Sequence, residues 1–222
     1  ATAFYHEHQG EFNPQTQLQW LIDTPSRLNQ YLALAKSRDS LIRVNLELDV
    51  GLHRGGFIAG KQLANALAII QLNPNHLEFS GFMGYDAHLM GIPQFLVPRE
   101  LKKVKGRYLA CVEQLNADFP SLVSDSLCFN GAGSPTFSHY EGTPLLNDIS
   151  AGSCLMKPTH YDLPTLEQFK AAAFIASPVL KKQQGGVLPV FEWAGPLIRG
   201  WDQNQQQTFF CYSGNWLAVN ES

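Results

Sequence analysis

The stretch LIRVNLELDVGLHRGGF, residues 41–57, ends an apolar run, Leu41 to Val50, at a turn that sets His53 and Arg54 among Gly51, Gly55 and Gly56. A guanidinium stays charged at any working pH and presents its donors in a fixed plane. Arg54 therefore suits an anion or the polar edge of a cofactor; pairing with Asp49 or a helix end is its structural alternative. Two later stretches carry glycines in similar places. NGAGSPT, 130–136, offers Gly131, Gly133 and Ser134, and SAGSC, 150–154, offers Gly152 and Ser153. Successive backbone N–H groups in such loops can form an anion-binding nest, and ordinary tight turns are the alternative. GYDAH, 84–88, adds Tyr85 and His88, and an imidazole exchanges protons near neutral pH. Asp86 is expected to face away, and His53 to be structural. His6 and His8 stand two apart in a polar lead-in, a spacing read as coincidence rather than a metal pair.

Strands and helices must bring these residues together. LQWLID, 18–23, is a short apolar run. It is followed by Thr24 as a helix cap, Pro25 at the first helical position, and Leu28, Tyr31, Leu32 and Ala35 at helical spacing. After the 41–50 strand come a helix near 60–72 and a strand over 77–85. A longer helix over 98–118 carries Leu101, Val104, Tyr108, Val112 and Leu115. SLCFNGAGS, 126–134, and LLNDISAGSCLM, 145–156, read as further strands running into small residues. Alternating strand and helix predict a parallel sheet, as a TIM-type barrel or a doubly wound sheet, with ligands at the carboxyl ends of the strands. From about residue 160 the chain turns aromatic and β-rich, in FIASPVL, GVLPVFEWAGPLI and TFFCYSGNWLAV, which predicts a second domain.

The chain has 222 residues, 45% hydrophobic and 16% charged, enough for a real core. Net charge is −3, and the basic residues are scattered apart from Lys102, Lys103 and Lys105, read as a solvated helix end. Nucleic acid is therefore not an expected partner. No apolar run suits a membrane span, and the first residues do not read as a signal peptide. Ala1 in place of Met fits processing or a part of a longer chain. Cys111, Cys128, Cys154 and Cys211 form no CxxC pair, so reduced thiols and a cytoplasmic location are expected. DQNQQQ, 202–207, reads as a polar turn.

Together the motifs resemble one family. LELDVGLHRGGF is similar to the strand and turn of alanine racemase-like (fold type III) pyridoxal phosphate enzymes, in which an Asp-x-Gly-x-x-Arg pattern closes a barrel strand; here it falls on Asp49, Gly51 and Arg54. GFMGYDAHL, GAGSPTFSHY and FFCYSGNWLA resemble the D-threonine aldolase and D-serine dehydratase branch. The resemblance spans roughly residues 18–219. It implies an α/β fold: strands four to eight of a (β/α)8 barrel over 18–158, after a lead-in loop at 1–17. Residues 159–222 would be a connection and the beginning of a β domain.

The resemblance implies pyridoxal 5′-phosphate as cofactor. Arg54 would reach the ring's phenolate oxygen, Tyr85 the ring, and His88 would handle protons or orient groups. The Gly131–Gly133–Ser134 and Gly152–Ser153 loops would cradle the phosphate, with His139 and Tyr140 as secondary candidates. The family's Schiff-base lysine lies at the end of the first barrel strand, to which no segment here corresponds; Lys157 is the nearest imitation among nine lysines. The branch's divalent metal would have its ligands beyond Ser222. Ser150 stands where the racemases carry an arginine, which favours a lyase acting on small D-hydroxy amino acids over a racemase. A non-catalytic cofactor-binding fragment is the third reading. A homodimer is expected, with the missing strands coming from the rest of the protein or another chain.

Overall fold

The computed structural model describes residues 13–158, 161–172, 174, 176–185, 192–201 and 206–212. The chain divides into two compact units, Ala1–Gly152 and Ser153–Ser222. His6 and His8 lie outside the described residues, as does most of DQNQQQ.

The first unit begins with a one-turn helix, α1 (Pro14–Gln17), and then alternates strands β1 (Trp20–Ile22), β2 (Ile42–Leu48), β3 (Leu77–Gly84), β4 (Cys128–Gly131) and β5 (Asp148–Ile149) with helices α2 (Pro25–Arg38), α3 (Lys61–Gln71) and α4 (Val97–Asp118). Thr24 starts α2 by accepting the Arg27 N–H on its hydroxyl at 3.2 Å, satisfying one otherwise orphaned donor, and Pro25 supplies a helical φ. Apolar residues recur at helical spacing and bury one stripe per helix: Leu63, Ala66, Leu67 and Ile70 on α3, and Val104, Tyr108, Cys111 and Leu115 on α4. Between β4 and β5 there is only a 3-10 turn, Phe137–Tyr140. Lys102, Lys103 and Lys105 are not at a helix end but within the first half of α4. Lys103 pairs with Glu100 at 2.6 Å, while Lys105 donates to the His139 carbonyl at 2.8 Å and lies over the Tyr140 ring.

All neighbouring strands are parallel and follow chain order, β1-β2-β3-β4-β5. A doubly wound sheet reverses its order part-way; this one runs on in a single direction, as the wall of a barrel does. Successive residues of a strand face opposite sides. On β2, Ile42, Val44, Leu46 and Leu48 are buried in the apolar core with the helices, while Arg43, Asn45 and Glu47 take the other face. Register continues that second face as Asn45–Gly81–Cys128 and Glu47–Met83–Asn130–Asp148. TIM-barrel interiors are usually packed with branched apolar residues; this face instead carries polar pairs, among them Arg43 with Glu78 at 3.0 Å and Asn130 with Asp148 at 2.8 Å.

In the second unit, β6 (Val179–Gln184) pairs antiparallel with β7 (Gln207–Cys211). GVLPVFEWAGPLI departs from its β-rich reading where it is described. A 3-10 turn, Glu192–Ala194, leads into helix α5 (Gly195–Trp201), because Pro196 is pre-set for a first helical turn. Among the described residues no helix is long and apolar enough to cross a membrane.

Candidate functional site

The turn after β2 is dictated by its backbone. Phe57 N–H donates to the Glu47 carbonyl at 2.8 Å and Asp49 N–H to the Phe57 carbonyl at 2.9 Å, so the chain folds back on its own strand. Gly51, Gly55 and Gly56 take φ of +129°, +147° and +102°, which side chains disfavour. A Cβ on Gly56 would lie 2.8 Å from the Glu47 carbonyl oxygen. Asp49 Oδ1 accepts the Gly51 and His53 N–H groups, each at 3.0 Å, and Oδ2 meets His53 Nδ1 at 2.8 Å. Burial pushes the Asp49 carboxyl up, but the His53 side chain and the two N–H groups outweigh it and hold it below the usual value. The glycines thus follow from the turn itself. Arg54 is the residue it projects: half-exposed, with Nη2 donating to Glu47 Oε1 at 2.7 Å rather than to Asp49.

Three strand ends meet at Tyr85, which lies between Arg54 and the loop after β4. The Arg54 guanidinium carbon lies 5.3 Å from the centroid of the Tyr85 ring, just after β3, a cation–π distance. The same ring rests on Gly133, after β4, where an added Cβ would approach Tyr85 Cε2 to 2.7 Å. Next to it Ala132, fully buried, holds φ of +59°. A non-glycine residue there costs about 1–3 kcal/mol, and such strain collects at functional sites. Gly131 packs on Leu146, leaving 2.9 Å for a Cβ.

The β4 loop is held from beneath by Asp86, which is fully buried. Its Oδ1 accepts the Thr136 hydroxyl at 2.6 Å and its Oδ2 the Tyr140 hydroxyl at 2.8 Å. Thr136 Oγ1 in turn accepts the Gly133 N–H at 3.0 Å. That N–H is thereby committed inside the loop, while Ser134 beside it is buried. Burial, then the Asp86 charge, pushes the Tyr140 phenol up, so it stays a neutral donor. Asp86 and Thr136 are the residues that sequence reasoning missed. Their only signal is a polar side chain next to a strand end, with nothing to show that the two meet.

His88 lies in the 3-10 turn Ala87–Gly91 and sits against the β2 turn. Its ring and Arg107 occupy the space a Cβ on Gly51 would need. Arg107 Nη1 donates to the Val50 carbonyl at 3.0 Å. Burial first, and then Arg107, lowers the His88 pKa against the opposing pull of Asp86 and Glu100; Nδ1 is buried with no hydrogen-bond partner. After β5, Ser150 donates to Asn130 Oδ1 at 2.8 Å, and the space around Gly152 is open. Ser153 belongs to the second unit, in the 3-10 turn Ser153–Leu155. So does Lys157, whose Nζ pairs with Asp162 at 3.1 Å. No lysine stands at the carboxyl end of any strand from β1 to β5. Cys111 and Cys128 are pushed up to about 11, chiefly by burial, so both are neutral thiols. Among the described residues no three His, Cys, Asp or Glu side chains group as metal ligands. A cleft of about 490 Å³, lined by Leu41, Leu77, Glu78 and Ser121 among others, opens at the amino ends of β2 and β3, the end opposite to this cluster.

The strand-end cluster offers a half-exposed cation, an aromatic face and a strained glycine loop, which suits a flat anionic group. The family profile described as "Alanine racemase, N-terminal domain" matches residues 3–159, well over half of the chain. Among solved structures, a D-threonine aldolase from Filomicrobium marinum superposes with a TM-score of 0.63 at 17% identity, covering 78% of this chain and 48% of that one. An alanine racemase from E.faecalis gives 0.56 at 18% identity, covering 81% and 46%. A D-threo-3-hydroxyaspartate dehydratase H351A mutant gives 0.51 at 15%, covering 60% and 34%. The chain therefore spans about half the length, or less, of these structures, and at such identities the likeness is one of fold. A search of curated protein sequences finds no match.

Proposed function

Because the chain belongs to the alanine racemase N-terminal domain family of fold-type III pyridoxal phosphate enzymes, we propose that its strand ends hold pyridoxal 5′-phosphate in a lyase for small D-hydroxy amino acids. The carrying observation is the contiguous stack of Arg54, Tyr85 and Gly133 at the ends of β2, β3 and β4.

The residues present fit the ring and phosphate of that cofactor. Glu47 fixes the Arg54 guanidinium at 2.7 Å, leaving it half-exposed to donate to an anionic ring oxygen. The Tyr85 ring limits where a flat group can lie. Gly131, Gly133 and Ser134, with Gly152, would provide the phosphate cradle. His88, kept neutral by burial, would accept or orient a proton. When bound, the cofactor supplies an electron sink for negative charge developing on the substrate. The imine-forming amine is not at the strand ends described. That favours, as a second reading, a unit that holds the cofactor without bonding to it.

Lyase over racemase is supported by GFMGYDAHL and by Ser150 where the racemases carry arginine. A divalent metal, a homodimer and a cytoplasmic location belong to the same proposal for the whole protein. The experiment is a titration with pyridoxal 5′-phosphate followed by induced circular dichroism, then product analysis with D-threonine, D-serine and D-alanine. Arg54→Lys keeps the charge but loses the planar fork, and affinity is expected to fall about tenfold or more. An unchanged titration would remove Arg54 from the site; alteration of D-alanine alone would leave a racemase.

A further inference from the structure

Resting on the cofactor reading above, we infer that Asp86 is a positioning residue that sets the β4 loop under the cofactor without touching the cofactor itself. Thr136 has one hydroxyl proton and two acceptors within reach: Asp86 Oδ1 at 2.6 Å and the Gly133 carbonyl at 3.4 Å. A buried carboxylate takes it, since charge-assisted bonds of that length are the stronger ones. The hydroxyl oxygen then presents a lone pair to the Gly133 N–H at 3.0 Å. That bond fixes the peptide between Ala132 and Gly133, where Ala132 is held at φ of +59° and Gly133 lies against the Tyr85 ring. Without the carboxylate, the proton turns to the Gly133 carbonyl and the N–H loses an aligned acceptor. Nothing then compensates the strain at Ala132, and the loop moves off Tyr85. The second oxygen of Asp86 binds Tyr140, whose carbonyl end of the loop is held by the Thr143 N–H at 3.1 Å, away from Gly133. The two hydroxyls on one carboxylate therefore have different reach: Thr136 controls Gly133, and Tyr140 contributes stability.

The test compares D86A, which removes the acceptor, with T136V, T136S and Y140F in the full chain by two readouts. Amide hydrogen exchange of residues 132–137 is measured without cofactor, and affinity for pyridoxal 5′-phosphate by induced circular dichroism. D86A and T136V should each speed exchange in this segment by at least tenfold and weaken affinity by at least tenfold. T136S, which keeps the hydroxyl, should match wild type in both. Y140F should lower the thermal midpoint yet leave affinity within about twofold of wild type. Should D86A fail to fold, T136V and T136S carry the comparison. Protected exchange in D86A or T136V, or an equal affinity loss in Y140F, overturns the role of Asp86. Wild-type protein that takes up no cofactor overturns the functional reading as well, and the exchange data show separately whether the anchor exists.

Discussion

A histidine kept neutral by burial loses its advantage in acid, and His88 is such a group. Burial lowers its pKa from the ordinary 6.5, so between that value and the folded one the unfolded chain binds the extra proton. Its contribution is whole above about 6.5 and is lost as pH falls toward the folded pKa. Asp49, also lowered, acts in a different window: its stability is present above the unfolded 3.8 and lost as pH falls through the folded value. The urea midpoint of the wild type should therefore drop between pH 7.5 and pH 5.5, and His88→Gln should flatten that drop. An equal drop in the variant would mean another group titrates. Arg54 and Tyr85 stand out in the sequence because each lies in a turn that follows a strand and belongs to a motif, and the structure brings the two side chains together. Asp86 does not stand out, since its burial depends on Thr136 and Tyr140, fifty and fifty-four residues further on.

Elements were the most legible scale, for a simple reason. Caps and periodicity are local, so Thr24–Pro25 and the stripes of α3 and α4 appear in any window of the chain. The strand expected over 41–50 is β2, but its apolar content masks its two faces. It alternates, and its Arg43, Asn45 and Glu47 belong to the face opposite the helices. Register irregularity was hidden too: β3 slips against β2 between Val44 and Asn45, and the strand recovers at Gly81, with φ of +130° and the Cys128 carbonyl where a Cβ would go. Gly81→Ala should therefore cost well over the roughly 1 kcal/mol of an ordinary substitution. Gly106, inside α4 with open space around it, should behave oppositely, alanine there adding about 0.5–1 kcal/mol. Chemical denaturation of the pair checks this; destabilisation at both sites would refute the contrast.

On the scale of the whole molecule, the buried apolar cluster lies in the first unit: among the described residues its members fall between Ile22 and Leu127. The second unit buries Cys154 and Leu166, but its two-stranded β6–β7 ribbon is nearly all exposed. A ribbon of that kind is at best marginal by itself. Its sequence nevertheless reads as β structure, because composition reports strand preference but not whether a partner layer is present. Stability should therefore reside in the first unit. Residues 1–152 expressed alone should unfold in urea as cooperatively as the full chain and at a midpoint close to it. Among the described residues β1 and β5 each have a single strand neighbour, and open edges template pairing with other chains. The fragment and the full chain should accordingly associate with rising concentration, a trend sedimentation velocity would register. A fragment with no cooperative transition would show that the parallel sheet depends on residues beyond Gly152 and is not a unit in its own right.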